Sequence, residues 1–273
     1  MSSWIQQPLK KVLANDSLYC STSAAGYGAN FFNFFVCYLY ARSQDKVLYL
    51  KDTKNNITDS YHLILDTFKE LPGITYTLQN AITMQQEIPS ELKNFCVIQD
   101  IDFLRSEAKR IFQFQPSIQK KIAPLRKGLP KFDLGVHIRT GDKITSGEMK
   151  KIPIEAYLKQ ITDFQLISGK KNLNIYLMTD SASVVANFKK KALPSWAVTV
   201  LLPPISNTDG HIQRQFNSYP IQVKMDAFIH FLAELQILQE CPTVFCTFSS
   251  YIGRFLYLTG GEDVRSLDSQ FEL

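Results

Sequence analysis

The chain has 273 residues, 45% of them hydrophobic, and a formal net charge of +5 from 30 basic and 25 acidic residues. That supplies a large core for one big or two modest domains and excludes a disordered tail. The basic residues are scattered apart from short runs such as Lys189 to Lys191, so the long basic stripe of a nucleic-acid binder is missing and the small excess favours an anionic ligand only weakly.

The amino terminus, Met1 to Pro8, has neither a basic n-region nor an apolar h-region, and no stretch reaches the roughly 18 apolar residues of a membrane span. The five cysteines, Cys20, Cys37, Cys96, Cys241 and Cys246, are odd in number and lack C-x-x-C spacing, so they read as reduced core residues. A cytoplasmic setting, or excision from a longer protein, fits both features. Leu18 to Cys20 predicts a strand, Ala24 to Gly28 a turn, Asn30 to Arg42 an apolar helix and Lys46 to Leu50 a second strand, together a β-loop-α-β unit. Gly26-Tyr-Gly28 lacks the third glycine of the dinucleotide fingerprint and reads as a tight strand-to-helix turn. Tyr61 to Leu71 predicts a helix ending near Pro72-Gly73, Phe95 to Ile98 a strand, and Phe103 to Ile122 helical segments. Pro124, Gly128 and Pro130, with Arg126, Lys127 and Lys131 among them, mark the best linker and divide the chain into domains 1–130 and 131–273.

Beyond that linker strands and helices alternate: strand 133–138, helix 153–167, strand 173–178, helix 181–191, strand 197–202. This is the order of a parallel, doubly wound α/β sheet. A loop from Pro203 to Pro220, carrying Asp209, Gly210, His211, Arg214 and Asn217, interrupts the rhythm, and loops of that length are often functional. A helix from Ile221 to Gln239, stopped by Pro242, precedes a buried strand Thr243 to Thr247 and a helix Tyr251 to Leu258.

The chemistry-bearing residues cluster where strands end. Leu134, Val136 and Ile138 alternate with Gly135, His137 and Arg139, and Gly141 permits a sharp exit into Asp142 and Lys143. Ligands of open α/β sheets bind outside the carboxyl ends of the strands, and the fixed fork of donors on Arg139 suits a phosphate or diphosphate. Asp180 ends the next strand, where either it or Ser181 can instead cap the following helix. Ser249 and Ser250 lie between a strand and a helix, as a plain cap or as the second half of a diphosphate clamp. Glu234 sits mid-helix beside the apolar face. A carboxylate there is costly unless partnered, and its two oxygens match adjacent donors on the edge of guanine; the alternative is a solvated helix face. His137 lies inside its strand pattern, where a core histidine is the plain reading. Asp142 or Glu148, in a glycine-flanked stretch, is placed to deprotonate a hydroxyl, or else to decorate a solvated loop. Histidines and carboxylates show no metal-ligand spacing, so no metal is expected.

In order and spacing these residues resemble the alpha-1,6-fucosyltransferase family and the wider group that holds the bacterial nodulation and protein O-fucosyltransferases. Gly135-Val-His-Ile-Arg-Thr-Gly-Asp-Lys143 is similar to the motif G-V-H-V-R-R-T-D-K, Tyr176-Leu-Met-Thr-Asp180 to Y-L-A-T-D, and Val244-Phe-Cys-Thr-Phe-Ser-Ser250 to L-V-C-T-F-S-S. Ile152-Pro-Ile-Glu-Ala-Tyr157 resembles H-P-I-E-E-Y, and Gly210-His-Ile-Gln-Arg214 loosely resembles G-L-H-N-R. The likeness is good over 133–258 and looser before it, where only the Gly26-Tyr-Gly28 turn and the following helix match.

The resemblance implies a GT-B-like α/β fold, with two Rossmann-type domains facing across a cleft, the first on the acceptor side and the second holding a nucleotide sugar. It implies inverting, metal-independent transfer of fucose from GDP-fucose to a glycan hydroxyl, with no further cofactor. By position, Arg139 would hold the β-phosphate, and Ser250 with its neighbours Thr247, Ser249 and Tyr251 would complete the diphosphate site. His137 and Glu234 would address the guanosine, and Asp180 would belong to the donor site. Glu148 falls where the family's proposed base lies, beside the acidic-basic pair Asp142 and Lys143. Gly26, Tyr27, Gly28, His211 and Arg214 fall on the acceptor side. Glu234 replaces a family aspartate thirteen residues before the threonine of C-T-F-S-S. Thr140 stands for the family's second arginine, Gly141 for its threonine, Ser181 for a second aspartate and Tyr251 for a glutamine. These departures leave the acceptor open, together with two alternatives: another nucleotide-sugar donor, or a non-catalytic nucleotide- or glycan-binding module.

Overall fold

In the computed structural model of the chain, the described residues are 17–22, 26–51, 62–71, 73–76, 100–147, 149–201 and 210–271. The chain packs as two units, Met1–Ile101 and Asp102–Leu273. In the first, β1 (Ser17–Ser21), β2 (Val47–Lys51) and β3 (Ile74–Tyr76) form a parallel sheet in the order β1-β2-β3, with helix α1 (Tyr27–Ser43) crossing between β1 and β2. Phe31, Phe32, Phe34, Phe35, Tyr38 and Leu39 leave α1 apolar nearly all round, as a buried helix requires. Asp45, at φ 53°, ends the helix, and the Lys46 N–H returns to the Ala41 carbonyl at 2.8 Å.

The helix expected over 61–71 is a hydrogen-bonded turn over 63–67 instead. The Asp66 carboxylate accepts from the His62 N–H at 2.7 Å, a local bond that competes with helix propagation. The strand expected over 95–98, and Cys96, lie outside the described residues. Cys20, Cys37, Cys241 and Cys246 are buried, as expected of core residues. Among the described residues no helix is long and apolar enough to cross a membrane.

The second unit opens with α2 (Ile101–Ile111) and α3 (Pro116–Arg126). Residues 102–130 therefore pack with the second unit, although their sequence groups them with the first. Pro124 falls in the last turn of α3 and not in a linker, and the Arg126 guanidinium bonds Gln236 at 2.7 Å and also the Glu240 carboxylate. Both partners lie on α8 (Ile221–Glu240). Phe112 adds an edge-on contact with Phe255, ring centroids 4.7 Å apart.

The sheet of this unit has five parallel strands, β4 (Leu134–Ile138), β5 (Leu173–Thr179), β6 (Trp196–Thr199), β7 (Thr243–Cys246) and β8 (Asp263–Ser266), ordered β6-β5-β4-β7-β8. Between them run α4 (Asp142–Thr145), α5 (Ile154–Ser168), α6 (Ala182–Lys191), α7 (Gln213–Asn217), α8 and α9 (Tyr251–Thr259). The expected alternation holds, while β3, α4, α7 and β8 are additions to it. β4 is buried along its whole length. One of its faces, Leu134, Val136 and Ile138, joins a core with Tyr157, Ile161 and Phe188. The other turns Gly135 to α8, where a Cβ would lie 2.6 Å from Leu238 Cδ2. From β4 the chain builds outward through β5 to β6, then returns to the opposite side for β7 and β8. The gap between the ends of β4 and β7 is thus the topological switch point, where open α/β sheets bind their ligands.

Candidate functional site

Arg139 leaves the end of β4 into a network centred on Asp180, at the end of β5. The guanidinium donates from Nη1 to Asp180 Oδ2 and from Nη2 to Asp142 Oδ1, the latter at 3.2 Å. Asp180 Oδ1 accepts from the Thr140 N–H at 2.9 Å and the Thr140 hydroxyl at 2.8 Å, while Oδ2 also accepts from the His211 N–H at 2.9 Å. Burial favours the neutral acid, but the Arg139 charge and these donors hold the carboxyl below its ordinary value. Asp180 is spared from capping because Ser181 Oγ accepts from the Val184 N–H at 3.2 Å at the start of α6. The Asp142 N–H donates to the His211 carbonyl at 3.1 Å. Thr140 and Gly141 thus have structural roles: one binds Asp180, and the other lets the backbone at His211 pass close by.

Across the switch point, the turn after β7 is organised by Asp268, a residue the sequence motifs did not single out. Its carboxylate accepts from the Phe248 N–H at 2.8 Å, the Ser249 N–H at 3.3 Å and the Ser249 hydroxyl. Burial would raise its carboxyl, and these bonds with one from Ser266 hold it below the ordinary value instead. Ser249 is therefore committed to Asp268 in this state. Ser250, buried at the N-cap of α9, makes no side-chain cap bond, so its hydroxyl is not spent on the helix. Buried Thr247 Oγ1 has no hydrogen-bond partner among the described residues. Tyr251 is exposed, with the Arg254 guanidinium 5.4 Å from its ring centroid.

A third group lies between α8 and the sheet. Glu234 on α8 is buried, which excludes a solvated helix face; it accepts from the Tyr176 hydroxyl at 3.0 Å and has His230 Nδ1 3.7 Å from its other oxygen. Burial pushes its carboxyl up, against the pull of His230 and Tyr176. His137 is buried too, and its Nδ1 has no partner among the described residues. Burial takes its imidazole down to about 4, with Asp180 opposing and Arg139 reinforcing the shift. The Asp180 charge reaches Glu234 as well, so the interior pair and the strand-end network share one field.

No protein-family model matches the sequence, and no curated protein does. Solved structures do match. NodZ alpha-1,6-fucosyltransferase soaked with GDP-fucose is 14% identical over 89% of this chain and 93% of its own, with a TM-score of 0.53. The fucosyltransferase NodZ from Bradyrhizobium is 14% identical over 89% and 92%, with a TM-score of 0.54. A variant of Arabidopsis thaliana FUT1 in complex with GDP is 11% identical over 95% and 72%, with a TM-score of 0.53. The chain has the α/β fold of these GT-B fucosyltransferases.

Within that fucosyltransferase fold, Arg139, Asp142, Asp180 and His211 come together, and His137 and Glu234 lie behind them. Ser249, Ser250 and Tyr251 occupy the neighbouring strand end. Lys143 follows Asp142 in α4, so this turn carries two cations and one carboxylate, and Asp180 at the end of β5 supplies the second carboxylate. His211 is engaged through its backbone, with its ring 5.3 Å from that of Phe216, and Arg214 is exposed on α7. Gly26 precedes α1 in the first unit, with Tyr27 and Gly28 in its first turn. Glu148 lies outside the described residues.

Proposed function

We propose that this protein is an inverting glycosyltransferase that moves fucose from GDP-fucose to a glycan hydroxyl without a metal. The observation that carries this reading is the pairing, on a fucosyltransferase fold, of an oriented Arg139 with the α9 amino terminus on the two sides of the sheet's switch point. GDP leaving the sugar develops charge on its β-phosphate. Arg139, the Ser250 hydroxyl and the positive end of α9 would neutralise it, which is the work a metal does elsewhere. Neutral His137 and the Glu234 carboxylate would read the guanosine. The acceptor oxygen would attack the anomeric carbon from the face opposite the departing phosphate, forming the new C–O bond as the old one breaks. Its proton would pass to Glu148, the position carried over from the family motif. Gly26, Tyr27 and Gly28 of the first unit are assigned to the acceptor.

Release of GDP from GDP-fucose in the presence of a glycan array, with and without chelator, tests the reading. Arg139→Ala should lower the rate by about 100- to 1000-fold, the usual loss of one charge-stabilising donor. Unchanged turnover in that variant, or dependence on added metal, would remove the assignment. The Asp268 bonds favour a second reading, a GDP-binding module without transfer, because two N–H groups beside Ser250 are already occupied. GDP binding with no transfer to any glycan would select it.

A further inference from the structure

Two glycines face one another beside Arg139, and both are held in the left-handed region: Gly141 at φ 77° and Gly210 at φ 105°. A Cβ on Gly141 would lie 2.3 Å from the His211 carbonyl oxygen and 2.7 Å from its nitrogen. A Cβ on Gly210 would lie 2.5 Å from both the Cα and the nitrogen of Gly141. The nearest neighbours are backbone atoms in each case, which cannot yield as a flexible side chain can. Two stretches of backbone far apart in sequence therefore ride directly on each other, and side chains other than hydrogen are excluded twice over, by dihedral angle and by space.

What this approach joins is specific. Each terminal nitrogen of Arg139 is held by one carboxylate, Asp180 or Asp142. Each of those residues is in turn bonded to the backbone of His211: Asp180 Oδ2 accepts its N–H at 2.9 Å, and its carbonyl accepts the Asp142 N–H at 3.1 Å. The guanidinium is thus fixed at both ends through a single peptide segment. We propose that Gly210–His211 is a strap that sets the position of Arg139, and that Gly141, Asp180 and Gly210 are positioning residues for the anion site, acting without touching the ligand. This rests on the reading of Arg139 as a phosphate ligand. It also moves His211 from the acceptor side to the support of the donor site.

The test measures GDP and guanosine affinity in the wild type and in Gly210→Ala, Asp180→Asn and Arg139→Ala, with hydrogen exchange of peptides covering 138–144 and 210–217. Gly210→Ala and Asp180→Asn should weaken GDP by roughly 10- to 100-fold, the range for one hydrogen bond to a charged group, and Gly210→Ala, which changes no charge, should leave guanosine unchanged. Both peptides should exchange faster together in each of the two. GDP affinity lost in Arg139→Ala but retained in Gly210→Ala and Asp180→Asn would overturn the strap and leave the anion site standing. Equal weakening of GDP and guanosine in Gly210→Ala would also overturn it, since a general loss of structure moves both. If Arg139→Ala binds GDP normally, or the wild type binds none, the phosphate reading fails; the strap is then decided by exchange alone, and falls if the two peptides respond independently.

Discussion

His137 is enclosed in the sheet with its imidazole brought down to about 4 from 6.5, so it is neutral in the folded protein near pH 7. The unfolded chain takes up this proton near the ordinary value, and the folded chain only near the lower one. Between those limits the unfolded state binds more protons, so stability falls as the pH drops through the window, by roughly 3 kcal/mol for a shift of this size. Glu234, whose carboxyl is raised, acts in the opposite direction above its own ordinary value, so the histidine is best isolated by difference. Urea unfolding at pH 7 and near pH 4 should show the wild type losing about 2 to 3 kcal/mol more than His137→Gln. Parallel losses would mean that the folded imidazole titrates normally. A strand pattern alone gave this residue only its plain core reading; burial without a partner for Nδ1 among the described residues is a property of the packed sheet. Asp268 was less legible still. It reaches Phe248 and Ser249 only because β8 lies beside β7, and neither the strand nor the contact is marked by periodicity in Asp263-Val-Arg-Ser266.

Elements with strong periodicity were legible to within a few residues, as β4, β5, α5 and α8 show, because alternation or an apolar stripe states which face must be buried. Short pieces such as α7 and β3 carry too few residues to state a period. Thr140 and Gly141 look like losses when set against the family motif, and only the approach of Gly210–His211 explains them. The same logic of close approach governs Gly135, which seats α8 on β4. An added Cβ would meet Leu238 Cδ2 at 2.6 Å and Cys241 Sγ at 3.2 Å. Gly135→Ala should therefore cost about 1 to 3 kcal/mol by overpacking, read as a lower urea midpoint at unchanged slope. Full stability would mean that α8 shifts away without penalty. In that case the Tyr176–Glu234 bond, which spans the same interface, should weaken along with guanosine affinity.

At the scale of the molecule, the division near residue 101 gives Asp102–Leu273 a complete five-stranded sheet, helices on both faces and every described residue proposed for the donor site. Helices α2 and α3 belong to that unit through Arg126 on Gln236 and Phe112 on Phe255. A fragment cut at the expected linker would strip α3 from α8 and expose the apolar surface it covers, whereas a fragment beginning at residue 100 keeps it. The longer fragment falls within the ordinary size of an independent domain. Residues 100–273 expressed alone should unfold in one cooperative transition and bind GDP about as well as the full chain. At GDP concentrations near 100 times Kd, binding should add about 2.7 kcal/mol to its stability. Residues 131–273 should be less stable and more prone to associate. A fragment 100–273 that folds cooperatively yet binds no GDP, while the full chain does, would move part of the donor site into Met1–Ile101 and break the assignment of one nucleotide to one unit.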